Sequence, residues 1–179
     1  MNREDAFYYE SLLVIGFSDE YDEWLDSCIE SENPLSNITL ELSSCGSDKN
    51  KIISVLRQYR SEQPVDEKTV CERLRLFFKE AYESGKMEKG QVVSSMNAIT
   101  SHIGDLGDFD VEIWGDMFYF DDYYSLAEKD ILAWEGFDSA FFAYLNDGIP
   151  LDSEKIWRYD KCDKKYRFLK KSNVFSESE

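Results

Sequence analysis

Carboxylates are the side chains best placed to do chemistry in this sequence, and they crowd one stretch. Asp105, Asp108, Asp110, Glu112 and Asp116 precede the adjacent pair Asp121 and Asp122. Alternating carboxylates suit a calcium loop, but an EF-hand beginning at Asp105 needs glycine at its sixth position and glutamate at its twelfth. Asp110 and Asp116 stand there instead. Asp121 and Asp122 point apart on a helix, so they do not converge on one ion. A carboxylate pair for glycoside hydrolysis can be drawn from so many residues that the pattern selects none. The single histidine, His102, falls at an expected helix end beside Ile103 and Gly104, where it reads as a surface or capping group. The four cysteines, Cys28, Cys45, Cys71 and Cys162, show no C-x-x-C pairing and no nearby histidine pair, so they lack structural-zinc spacing. Gly104-Asp105-Leu106-Gly107 is a turn rather than a phosphate cradle, and no serine nucleophile elbow or P-loop occurs. The residues therefore point to no catalytic group, no metal and no cofactor.

What the same stretch does offer is aromatic surface amid negative charge. Trp114, Phe118, Tyr119, Phe120, Tyr123 and Tyr124 lie within the acidic segment. Aromatic anchors surrounded by charged steering groups are the anatomy of a protein interface. Trp114 and Phe118 are expected in the core. Tyr119, Tyr123 and Tyr124 suit an interface better, because a hydroxyl tolerates water. The candidate partner-binding set is Asp105, Asp108, Asp110, Glu112, Asp116, Tyr119, Asp121, Asp122, Tyr123 and Tyr124. The acidic turn at Asp19, Glu20, Asp22 and Glu23 is the second candidate surface.

The elements that must position these residues read as helices. Asn2–Ile15 forms a first helix stopped by Gly16. Ser18 is expected to cap a second, with Tyr21, Trp24, Leu25, Cys28 and Ile29 at spacings of three and four. Pro34 suits the first turn of a third, carrying Leu35, Ile38 and Leu42 and closed by Gly46. Asp48 caps the helix of Ile52, Ile53, Val55, Leu56 and Tyr59. Asp66 caps the longest helix, with Val70, Leu74, Phe77, Phe78 and Tyr82 inward and Gly85 at its end. The next runs from Glu88 to Ile103 with Val92, Val93, Met96 and Ile99 inside. From Val111 to Tyr124 the pattern fits a strand or a helix, and Leu126-Ala127-Glu128 continues better as a helix. Asp138 is expected to cap a short helix through Phe141, Phe142 and Leu145 to Gly148. The fold class is all-α, an array of short antiparallel helix hairpins, with a small irregular or strand-like segment near 109–124 left open. Residues 1–171 form one helical domain: a hairpin array over 1–103, and an acidic-aromatic part over 104–171 on which a basic C-terminal segment packs. Residues 172–179 read as a frayed tail.

Composition sets the outer bounds. The chain has 179 residues, 37 acidic and 20 basic, for a formal net charge of −17. Residues 105–160 hold fifteen acidic and three basic side chains, net −12, whereas the last nineteen residues are net +3. Binding to nucleic-acid phosphates or to an anionic membrane needs a basic face, and this charge argues against both. The natural partner of such a surface is a basic protein. The sequence holds no apolar run of membrane-spanning length, and no apolar core with a small-residue cleavage site near Met1. The expected compartment is the cytoplasm, with free thiols, and Cys28 and Cys71 read as small core residues.

A set of short motifs adds a family likeness. It comprises Trp24-Leu25, Asn33-Pro34, Leu40-Glu41-Leu42-Ser43-Ser44-Cys45-Gly46 and Ile52-Ile53-Ser54-Val55-Leu56. The long helix from Leu74 to Tyr82, the Gly85-Lys86 stop and the segment Trp114 to Ala127 follow. Together, over about Tyr21 to Leu145, the chain resembles small acidic bacterial immunity proteins found beside secreted polymorphic toxins. That resemblance implies an α-helical fold and a cytoplasmic, non-enzymatic, toxin-neutralising role. The cognate toxin domain would be basic, and a nuclease is one candidate. Two other functions fit the charge or the carboxylates: a nucleic-acid mimic that inhibits a DNA- or RNA-processing enzyme, and a small metal-dependent hydrolase. The mimic needs carboxylates spaced like phosphates over a long surface. The hydrolase needs clustered histidines and carboxylates, and one histidine argues against it.

Overall fold

The computed structural model describes residues 1–104 and 109–151 with their side chains, and the backbone of 155–160 and 165–170. The expected turn at Gly104–Gly107 lies mostly outside the described residues. Asp105, Asp108, Cys162 and the tail 172–179 lie wholly outside them. The fold of the described side chains is all-α. Its eight helices are α1 Arg3–Val14, α2 Ser18–Ser31, α3 Asn37–Ser44, α4 Lys49–Ser61, α5 Glu67–Glu83, α6 Lys89–Gly104, α7 Val111–Glu128 and α8 Trp134–Asp147. Two antiparallel strands follow, β1 Lys155–Asp160 and β2 Lys165–Lys170, in register from Lys155 opposite Lys170 to Asp160 opposite Lys165. This small hairpin is a feature the helical pattern did not anticipate. Its warrant is local, since Ile156-Trp157-Arg158-Tyr159 and Tyr166-Arg167-Phe168-Leu169 are rich in residues that favour extended backbone. Among the described residues no helix is long and apolar enough to cross a membrane. The chain divides into two compact units, Met1–Leu74 and Arg75–Glu179, and the division falls inside α5.

In the first unit, Asn2 caps α1, its side-chain oxygen accepting the Asp5 N–H at 2.6 Å. The helix ends in a double turn, in which Gly16 N–H donates to Leu13 O and Phe17 N–H to Leu12 O at 2.9 Å. Gly16 sits at φ 92°, a conformation that side chains with a Cβ resist. Because that turn uses Phe17, the same residue stands at the N-cap of α2, and Ser18 is already helical. The expected Ser18 cap is corrected accordingly. Pro34 also departs from expectation. It lies ahead of α3, after a cis peptide bond, and Ser36 provides the cap. Asp48 caps α4 as expected, accepting the Lys51 N–H at 3.2 Å. Ala6, Leu13, Tyr21, Leu42, Ile52 and Leu56 form the core cluster. Ile29, expected inward, is 37% exposed.

The main packing partner of α1 is α4 rather than its sequence neighbour α2. A buried charge shows why. Glu10 is fully buried, and its carboxylate accepts from Arg60 Nε at 2.6 Å and from Arg57 Nε at 3.3 Å. The Arg60 guanidinium lies 4.0 Å from the centre of the Phe7 ring. A carboxylate leaves water only where cations and donors meet it, and here both cations come from α4, so the contact ties α1 to α4.

In the second unit, α5 brings Phe78 and Ala81 into the core while Phe77 and Tyr82 are only half-buried. The expectation that Phe77 is a core residue is therefore corrected. The buried row on α5 runs Val70, Leu74, Phe78, Ala81, and Phe77 lies on its flank. Val92, Val93, Met96, Ile99 and Ile103 of α6 are all buried, as their spacing implies. Val111–Glu128 is one continuous helix, which removes the strand-like alternative near 109–124. α8 begins one turn earlier than expected, and Asp138 lies inside it, paired with Lys89 rather than capping. Gly148 ends α8 at φ 63°. Cys28 and Cys45 are buried, whereas Cys71 is half-buried instead of a core residue.

Candidate functional site

The acidic-aromatic segment becomes α7, and the helix sorts its residues by face. Asp110 is the N-cap, accepting the Glu112 N–H at 2.8 Å, so its charge sits where the helix dipole favours it. Trp114, Met117, Phe120 and Ala127 turn inward and are buried. Val111, Phe118, Tyr119 and Asp122 turn outward at spacings of three, four and seven residues, with Glu112 beside them. Val111 is 56% exposed, Tyr119 42% and Phe118 37%. Phe118 was expected in the core and instead lies at the surface. There it meets Phe109 at 5.6 Å and Tyr119 at 5.4 Å between ring centres, both edge-on. Gly115 lets this row lie close to the backbone, since a Cβ there would stand 3.2 Å from Val111 Cγ2.

The other proposed residues do not join that row. Asp116 is half-buried and accepts the Leu151 N–H at 2.9 Å, holding the chain after α8. Asp121 is half-buried and accepts from Asn97 Nδ2 at 3.3 Å, linking α6 to α7. Tyr123 is half-buried. Tyr124 packs edge-on against Trp134 at 5.3 Å and Phe137 at 5.5 Å. Its hydroxyl reaches Gly90, where a Cβ would stand 2.9 Å away. Of the ten residues read as an interface from sequence, Glu112, Tyr119 and Asp122 share an open face. Asp110 caps its start, and four others serve packing or hydrogen bonds inside the unit or are half-covered. His102 lies in the last turn of α6, half-buried. Among the described residues no group of three or more His, Cys, Asp or Glu side chains is arranged to hold a metal ion.

The first unit contains a second candidate site, of which the sequence showed only one wall. α1 and α2 leave an open cleft of about 320 Å³, lined by Tyr8, Tyr9, Leu12, Glu20, Glu23, Trp24 and Ser27. Tyr9 and Trp24 stack with ring centres 4.3 Å apart and planes 20° apart, and Tyr8 meets Tyr9 edge-on at 5.0 Å. Arg73 places its guanidinium 4.2 Å from the centre of the Tyr8 ring and pairs with Asp5 at 2.8 Å. Burial pushes the Tyr9 phenol up from its ordinary range, against the opposing pull of Arg73. The acidic turn was visible in sequence as Glu20 and Glu23. The rings opposite were not, because Tyr9 and Trp24 meet only once α1 and α2 are packed. Set beside models of known families, curated proteins and solved structures, the chain matches none of them.

Proposed function

We propose that this chain is a binding protein that captures a basic partner and neutralises it by covering its working surface. In the reading that the family likeness suggests, the partner is a bacterial toxin domain, and the chain is the immunity protein that protects the cytoplasm of its producer. The observation that carries the proposal is the outward row of α7. Val111, Phe118 and Tyr119 are large apolar or aromatic side chains left open to solvent, edged by Glu112 and Asp122. Exposed aromatics ringed by charge supply both parts of a steered interface, an anchor for residence and a field for encounter. A net charge of −17 extends that field over the chain. An acidic partner suits a toxin that acts on nucleic acid, whose cleft must itself be basic. On this reading the chain performs no catalytic step and needs no metal or cofactor.

The test starts from the reading frames flanking the gene. A toxin domain encoded there, expressed in cells with and without this chain, should arrest growth only in its absence, and the purified proteins should form a complex. Arrest unrelieved by the chain would overturn the proposal. So would flanking frames of a phage or restriction cassette whose nuclease this chain inhibits, an outcome that assigns nucleic-acid mimicry.

A further inference from the structure

We propose that the cleft between α1 and α2 is a binding site for a guanidinium group, presented by an arginine side chain of a polypeptide partner. The inference does not depend on the α7 surface, because it rests on different residues within Met1–Leu74. Three observations combine. The walls of the cleft are aromatic, formed by Tyr8, Tyr9 and Trp24. Its acidic residues are Glu20 and Glu23, which lie one turn apart on α2. Its volume of about 320 Å³ falls at the lower end of the roughly 300–1,000 Å³ range of small-ligand clefts.

Aromatic rings attract a cation through the negative potential of their faces, and tryptophan does so best. A carboxylate at the rim adds hydrogen-bond acceptors and full charge. The pair of features selects guanidinium over ammonium, because a planar cation can stack on a ring and at the same time offer a fork of donors to a carboxylate. The molecule already contains this arrangement once. Arg73 lies over Tyr8 while its Nη1 donates to Asp5. The lining of the cleft holds the same kinds of group, Trp24 and Tyr9 as rings and exposed Glu23, with half-buried Glu20 beside it, as carboxylates. Tyr9 and Trp24 are held against each other and against the core cluster, so the rings are ordered before any ligand arrives.

The experiment is a titration of the isotope-labelled full chain, followed by the amide and indole resonances of residues 8–27. Four probes are used: N-acetyl-arginine amide, its uncharged isostere N-acetyl-citrulline amide, N-acetyl-lysine amide and tetramethylammonium. The arginine probe should shift Tyr8, Tyr9 and Trp24, and citrulline should not. Lysine should bind several-fold more weakly than arginine. Glu20→Gln/Glu23→Gln should weaken arginine binding by roughly fivefold or more, since each carboxylate supplies a charge-assisted contact. Glu23 is exposed and Glu20 half-buried, and glutamine keeps the length of each side chain, so the variant tests the site without emptying the core. Glu80→Gln/Glu88→Gln, an equal loss of charge elsewhere, should leave the affinity unchanged. Equal shifts with citrulline, no shift at Trp24, or equal weakening by the two glutamine pairs would overturn the site. Tighter binding of tetramethylammonium than of arginine would overturn the polypeptide source and assign a small quaternary ammonium ligand instead.

Discussion

The residue that most constrains the first unit is a carboxylate with no access to water. Glu10 is fully buried between Arg57 and Arg60, and Arg60 also covers the Phe7 ring. Such a group is costly to bury and costlier to orphan. Glu10→Ala should destabilise the chain by about 3–5 kcal/mol, because it leaves the buried Arg60 cation uncompensated. Replacing both partners, Glu10→Met with Arg60→Met, should recover much of that loss in urea unfolding. If the double variant is no more stable than Glu10→Ala, packing rather than charge explains the site. Glu32 is the opposite case, a carboxylate favoured by its surroundings. Its oxygens accept the Ser36 N–H at 2.9 Å, the Thr39 hydroxyl at 2.8 Å and the N-terminal ammonium at 3.1 Å. The Ser36 backbone N–H, then the Thr39 hydroxyl, lower its pKa from 4.5 to about 2. A folded-state pKa below the unfolded one gives stability that is present above pH 4.5 and is lost as pH falls toward 2. Glu32→Gln should therefore flatten the acid limb of the stability curve in that window, measured by urea midpoints at stepped pH. An unchanged acid limb would assign the loss to other carboxylates.

At the scale of elements, close contacts rather than propensity decide how helices meet. α6 and α7 pack along much of their length, and Gly90 receives the end of Tyr124. A Cβ at Gly90 would stand 2.9 Å from the Tyr124 hydroxyl oxygen and 3.3 Å from Cζ, so alanine there must displace the ring. Against that, alanine favours helix over glycine by about 1 kcal/mol. Gly90→Ala should thus be less damaging in a Tyr124→Phe background, with a coupling of about 0.5–1 kcal/mol in a double-mutant cycle. Additive effects would mean that the two residues do not meet. α5 gives a simpler comparison. Phe78→Ala should cost about 3–5 kcal/mol, and Phe77→Ala clearly less, because only Phe78 is fully buried. Helices were legible where local signals sufficed. Asn2, Asp48 and Asp66 mark starts, and Gly16, Gly46 and Gly85 sit at positive φ near ends. Ser18 and Asp138 misled because a small polar residue is equally at home inside a first turn or in a distant ion pair. α7 was ambiguous because aromatic residues occupy nearly every side of it, which erases the 3.6-residue stripe. The candidate site was half legible for a related reason. Residue type announced Asp116, Asp121 and Tyr124, but their partners Leu151, Asn97 and Trp134 are distant in sequence, and only packing reveals that these side chains are already used.

For the whole molecule the governing quantity is charge. A net charge of −17 opposes compaction through self-repulsion, and it sets up a field that steers oppositely charged molecules toward the surface. Burial then separates residues that shape the field from residues that hold the fold. Glu112 and Asp122 are exposed, whereas Asp121 links α6 to α7. Glu112→Gln/Asp122→Asn should slow association with a basic partner severalfold and flatten its salt dependence, while dissociation stays nearly constant. Tyr119, 42% exposed and edge-on to Phe118, is the anchor candidate. Tyr119→Ala should act on dissociation instead, costing about 2 kcal/mol or more if the ring is buried in the complex. Asp121→Asn should change stability before it changes binding. The measurement is binding kinetics with the proposed basic partner at two salt concentrations, with unfolding curves for each variant. An association rate unmoved by the charge pair, together with wild-type dissociation of Tyr119→Ala, would place the interface away from α7. The cleft of Tyr9, Trp24, Glu20 and Glu23 would then be the surface to alter next, since it combines aromatic rings and carboxylates in the other unit.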